Sequence, residues 1–116
     1  MHKVCPLKDL ARGEAVRIPT SPPIAVFHTD DGELYSIDDT CTHQDASLSE
    51  GWLEDCTVEC PLHATVFDLR TGDVHSPPAK LPVRTHHVEV IDGDIYVHES
   101  AQEPNLPPGV TLAGQA

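Results

Sequence analysis

Two short motifs constrain this chain more than any other feature: Cys41-Thr42-His43 and Cys60-Pro61-Leu62-His63, separated by the sixteen residues from Gln44 to Glu59. Each supplies one thiolate and one imidazole within a step short enough for a single loop to aim both side chains at one site. Pro61 fixes φ just after Cys60 and has no amide proton, which stiffens the second loop. A hairpin-like return of the chain between the motifs would bring the two loops together. Two Cys and two His then suit either of two metal chemistries. Zinc takes all four in a tetrahedron, whereas a [2Fe-2S] cluster divides them, two Cys on one iron and two His on the other. The ligand pattern leaves both open, beside the plainer reading of a buried Cys and a surface His that happen to be sequence neighbours.

The rest of the chain describes the scaffold for such a site. With 116 residues it has the size of one domain. Aromatic residues make up only 4% and there are 11 prolines, so the core rests on Val, Ile and Leu joined by many loops. An all-β domain follows. Strand patterns run over 15–18, 24–28 and 34–37, with Asp31-Gly32 marking a hairpin between the last two, and a second hairpin turns at Asp92-Gly93 between Val88/Val90 and Ile95/Val97. Shorter strand-like pieces, 57–59 and 65–69, alternate with the loops of the middle section. From Glu99 onward Pro104, Pro107 and Pro108 interrupt any periodicity, and 99–116 reads as a proline-containing tail, lying over the surface or disordered.

The formal charge of −12, from 19 Asp and Glu against 7 Lys and Arg, argues against nucleic acid and anionic lipid; a basic protein partner fits better, beside the plainer reading that acidity only keeps the protein soluble. No apolar run is long enough to span a membrane, and the N-terminus carries neither a secretory h-region nor a twin-arginine signal, so a cytoplasmic location is expected. In a reducing compartment Cys residues are better suited to metal than to disulfides. No catalytic carboxylate dyad, nucleophile elbow or phosphate-cradling glycine loop is present, so no enzymatic activity is expected of the chain alone. Nothing apolar enough for an obligate dimer is visible, and a monomer is expected.

The combined run of Cys41-Thr42-His43, Glu50-Gly51-Trp52, Val58-Glu59-Cys60-Pro61-Leu62-His63, Phe67-Asp68, Thr71-Gly72 and Pro77-Pro78 resembles the Rieske-type ferredoxins of bacterial aromatic-ring-hydroxylating dioxygenase systems. The resemblance covers about residues 2–98, which would form the Rieske domain. It implies three stacked antiparallel sheets with the cluster-binding loops at one tip and a third loop, Ser76-Pro77-Pro78-Ala79, packed over the cluster. It also implies one [2Fe-2S] cluster held by Cys41, His43, Cys60 and His63. The function implied is one-electron transfer from a flavin-containing, NAD(P)H-dependent ferredoxin reductase to a terminal Rieske non-haem iron oxygenase. The alternative is a zinc-stabilised interaction module or a regulatory small subunit of a redox enzyme.

Mixed ligation suits electron transfer because two ferric ions, two sulfides and two thiolates sum to zero, so the oxidised core accepts an electron more readily than a four-thiolate core. Rieske centres accordingly lie at about −150 to +300 mV, against about −400 mV for plant-type ferredoxins. The Rieske proteins of respiratory complexes carry two further Cys, where this chain has Ala46 and Leu62, and a Tyr where it has Phe67. Phe67 cannot donate a hydrogen bond to sulfur, so a potential toward the low end of the Rieske range is expected. Thr65 is expected to bond its own loop, the alternative being a hydroxyl bond to cluster sulfur. Cys5 reads as a small buried hydrophobe, Cys56 as a spectator thiol, and His2, His28, His75, His86, His87 and His98 as surface or strand residues. Trp52 is expected to pack in the core or against a loop, and the pair Asp38-Asp39 to bond locally at a turn.

Overall fold

The computed structural model describes residues 1–42, 46–62, 65–75 and 81–107. Among the described residues, nine antiparallel strands form: β1 (His2–Pro6), β2 (Ala15–Ile18), β3 (Ile24–His28), β4 (Leu34–Asp38), β5 (Trp52–Glu54), β6 (Thr57–Glu59), β7 (Val66–Asp68), β8 (Thr85–Ile91) and β9 (Asp94–His98). Two single-turn 3-10 helices, Leu7–Asp9 and Leu48–Glu50, accompany them. The chain is all-β, and no helix among the described residues is long and apolar enough to cross a membrane.

Hydrogen bonding links six strands in the order β1-β9-β8-β4-β3-β2 and three in the order β5-β6-β7. The larger array is two three-stranded groups joined through β8, whose first residues pair with β4 (Ile37 with Thr85, Ser36 with His86) and whose later ones pair with β9. β3 shows why this makes three layers. Its successive side chains point to opposite faces, and both faces are buried. Ile24 and Val26 pack with Ile95 and Val97 on one side, while Ala25 and Phe27 pack with Val58 and Phe67 of the small sheet on the other. The β2-β3-β4 group is therefore the middle layer, as the three-sheet expectation requires.

Both expected hairpins form. The β3–β4 turn closes with Gly32 donating to Thr29 O at 3.0 Å. The β8–β9 turn pairs Ile91 with Asp94, and its two central residues, Asp92 and Gly93, have φ of 50° and 82°, the left-handed values a two-residue hairpin demands. Two strands were not anticipated from the sequence: β1, which lacks clean alternation and ends on Pro6, and β5, three residues long. Beyond β9 the tail through Pro107 lies against the body, and Pro107 itself is buried.

Candidate functional site

β4 delivers the first motif. Past its end the chain turns back on itself: Thr40 bridges Ser47, and Cys41 N donates to Ala46 O at 3.0 Å. The second motif is built alike, with β6 and β7 as the arms and Cys60 N donating to Thr65 O at 2.7 Å. Each Cys thus stands at the base of a short closed loop, and both are buried, at 1% and 0% exposure, in one core cluster with Ala46, Leu48, Val58 and Phe67. None of the four cysteines is in a disulfide. His43 and His63 fall outside the described residues, as do Gln44 and the Ser76-Pro77-Pro78-Ala79 loop.

Two adjacent buried aspartates fix the end of β4. Asp39 faces the return of the first loop, accepting from Ser47 Oγ and from Ser49 N at 2.8 Å, with Arg17 Nε at 3.2 Å. Asp38 faces the other way and accepts from Arg84 Nε at 2.8 Å, Arg84 Nη2 at 3.1 Å and His86 Nε2 at 2.9 Å. Burial opposes ionisation of Asp38, but the bonds from His86 and Arg84 and the guanidinium charge outweigh it and hold the carboxyl below its ordinary range. The expected local turn role of Asp38-Asp39 is therefore corrected: these are tertiary anchors. A sequence clue existed in Arg84 and His86, which alternate onto one face two residues apart.

The two loops are held against each other and against a third segment. Gly51, which ends the 3-10 turn after the first loop, lies so close to β6 that a Cβ there would sit 2.1 Å from Glu59 O. Thr42 Oγ1 donates to Leu81 O at 2.6 Å, tying the first motif to the segment that follows the proline loop. Ala46, Ser47, Glu50, Pro61 and Leu62 line an open cleft of about 420 Å³ between the loops.

Around this end of the molecule Trp52, Leu62 and Leu81 are 62%, 56% and 49% exposed. Trp52 is thus not a packing residue, contrary to expectation. It lies opposite Glu59 on the outer face of the small sheet, while Leu53 and Val58 face the core. Cys56 precedes β6 and Cys60 follows it, so the two thiols sit at opposite ends of that strand. Cys56 instead borders a small cavity with Asp30, Asp31 and Asp55. Cys5 lies on β1, its thiol pushed up by partial burial and by Asp9 and Asp94.

The donor set fits a [2Fe-2S] cluster on the side the structure describes: two buried thiols, unbridged, at the bases of two loops that share one core. Comparison with known proteins agrees. A family model for the Rieske [2Fe-2S] domain matches residues 1–87. The 3-phenylpropionate/cinnamic acid dioxygenase ferredoxin subunit of Escherichia coli is 50% identical over 101 residues, covering 86% of this chain and 94% of that one. A chain from the complex of reduced oxygenase and oxidised ferredoxin in carbazole 1,9a-dioxygenase superposes with a TM-score of 0.79 at 39% identity, covering 84% of this chain and 100% of its own. A ferredoxin of Sphingomonas yanoikuyae B1 gives 0.78 at 31% identity over 85% of this chain and 98% of that one.

Proposed function

We propose that this chain, which belongs to the Rieske [2Fe-2S] domain family, holds its cluster with Cys41 and Cys60 on one iron and His43 and His63 on the other. It is an electron-transfer component of the ferredoxin type and carries out no bond-changing chemistry of its own. The observation that carries the ligand assignment is the pairing of two buried Cys at the bases of two closed loops within one core. The cluster supplies a one-electron couple. The chain's own residues bury the thiolates, fix both loops by backbone bonds, and exclude water through Phe67, Leu48 and Ala46.

The Escherichia coli relative is a ferredoxin subunit of a dioxygenase, and the carbazole 1,9a-dioxygenase ferredoxin was solved in complex with an oxygenase. In the same role this chain passes electrons to a terminal Rieske oxygenase acting on an aromatic substrate and receives them from a flavin-containing reductase. Its −12 charge fits basic docking surfaces on both. A cytoplasmic monomer with residues 1–98 as the cluster domain completes the reading. The zinc reading gives way because the family is one of cluster proteins.

Substitution tests the ligands directly. Ala at Cys41, His43, Cys60 or His63 abolishes the reduced-state EPR signal and the visible absorbance, while Cys5→Ser and Cys56→Ser leave both intact. Bleaching by Cys56→Ser with retention in Cys41→Ala would overturn the assignment.

A further inference from the structure

We propose that the segment Glu99 to Asn105 is a strap that positions the cluster loops, with Arg84 as its anchor and Asn105 as the positioning residue through which its hold reaches the first ligand loop. The inference rests on the assignment of Cys41 and His43 as ligands.

Arg84 has five N–H donors, and every one is directed. Nε and one Nη2 proton go to Asp38, the second Nη2 proton to Glu99 Oε2 at 3.5 Å, and the two Nη1 protons to the carbonyls of Ser100 at 3.1 Å and Gln102 at 2.9 Å. Ser100 N donates in turn to His86 Nδ1 at 2.9 Å. A tail merely resting on the surface has no need of a buried guanidinium to bind its main chain. Burying that charge is costly unless it is fully compensated, as it is here.

The strap then reaches back to the segment from which Arg84 projects. Asn105 Nδ2 donates to Pro82 O at 3.0 Å. The preceding carbonyl, Leu81 O, accepts from Thr42 Oγ1 at 2.6 Å, and Thr42 stands between Cys41 and His43. Consecutive carbonyls are thus held by the strap and by the ligand loop. Val83 N pins the next residue to Gly72 O at 2.9 Å, and Val83 O approaches Gly72 so closely that a Cβ there would lie 2.1 Å away. Residues 81–84 are fixed at every position, and the strap supplies the outer contacts. Loops held this way reorganise less when the charge at the site changes and keep water from it.

The test uses the full-length, cluster-loaded protein with Asn105→Ala, whose side chain is partly exposed, and Arg84→Met alongside. Asn105→Ala is expected to speed hydrogen exchange at the Val83 amide about fivefold, the worth of one net hydrogen bond. Exchange at Val26 should be unchanged. Loss of visible absorbance to a ferrous chelator should quicken by a similar factor. The midpoint potential should move upward, since water admitted near the site favours the charged, reduced state; a role confined to tail stability would leave it in place. Arg84→Met should exaggerate each effect, and if it fails to fold, Asn105→Ala still decides. A wild-type potential or bleaching rate in Asn105→Ala would overturn the strap. Bleaching of Cys41→Ala in the same series would leave the ligand assignment standing.

Discussion

The backbone N–H of Ser100 donates to Nδ1 of His86 at 2.9 Å, so the imidazole carries its proton on Nε2, where it faces Asp38 Oδ1 at 2.9 Å. The tautomer is set by the tail, and through it the tail completes the hydrogen bonding of a carboxylate three residues before Cys41. Asp38 and the His86 side chain are both 0% exposed and the Arg84 side chain 6%, so the cluster of charges has no solvent to fall back on.

Removing Asp38 leaves the Arg84 Nε and His86 Nε2 donors buried without their acceptor. Asp38→Ala is expected to cost about 3–5 kcal/mol, measured by denaturant unfolding of the loaded protein. The double variant Asp38→Leu with Arg84→Met should be less destabilised than the sum of its single substitutions, because it removes both charges together. Strict additivity would mean that the pair is not coupled.

Acid should weaken the fold through the same carboxyl. Its folded pKa lies below the unfolded value of about 3.9, so its contribution is fully present above that value and is lost as pH falls through the folded one. Asp31 and Asp68, also lowered, titrate in this window. The comparison is therefore with Asp38→Asn, whose thermal midpoint should fall less steeply between about pH 5 and pH 2 than that of the unaltered chain. Equal slopes would remove Asp38 from the acid response.

How far the sequence could be read depended on the range of the interaction. Alternating apolar residues and turn glycines are local signals, and they located β2, β3, β4 and both hairpins. Cys41 and Cys60 were legible because their motifs are short, and both proved buried beside one core. The bonds that position them were not, because they join residues far apart in the chain: Asp38 to Arg84 and His86, Thr42 to Leu81, Asn105 to Pro82. Trp52 misled because large aromatics are usually packed. In a three-residue strand, alternation sends either Trp52 and Glu54 outward or Leu53 outward, and the core took Leu53.

Gly51 offers a steric test of how the two loops meet. It has no positive φ to protect; its φ is −80°, and what matters is the 2.1 Å that a Cβ would have from Glu59 O. Backbone, not a flexible side chain, stands in the way. Gly51→Ala should therefore displace the first loop from β6, costing about 1–3 kcal/mol by overpacking and lowering the iron content of the purified protein. Full cluster loading with unchanged stability would show that the return of the loop can shift freely.

The last prediction concerns encounter with partners, and it combines charge with exposed apolar surface. With a formal charge of −12 the chain should be drawn to basic docking faces. Such attraction weakens as salt shortens the Debye length from about 30 Å at 0.01 M to about 8 Å at 0.15 M. Stopped-flow electron transfer with the proposed flavin-containing reductase, under second-order conditions, should therefore slow as salt rises. Contact itself is of another kind. Trp52, Leu62 and Leu81 stand exposed near the ligand loops, and transient redox complexes bury little area, so a few apolar side chains can dominate the contact. Leu62→Ala should reduce the second-order rate at all salt concentrations without changing its salt dependence, since it removes contact but no charge. Glu54→Lys, at an exposed position on the outer face of the small sheet, should instead reduce the rate most at low salt and flatten the slope. A rate that held level or rose with ionic strength would reject steering and leave the acidity to solubility alone.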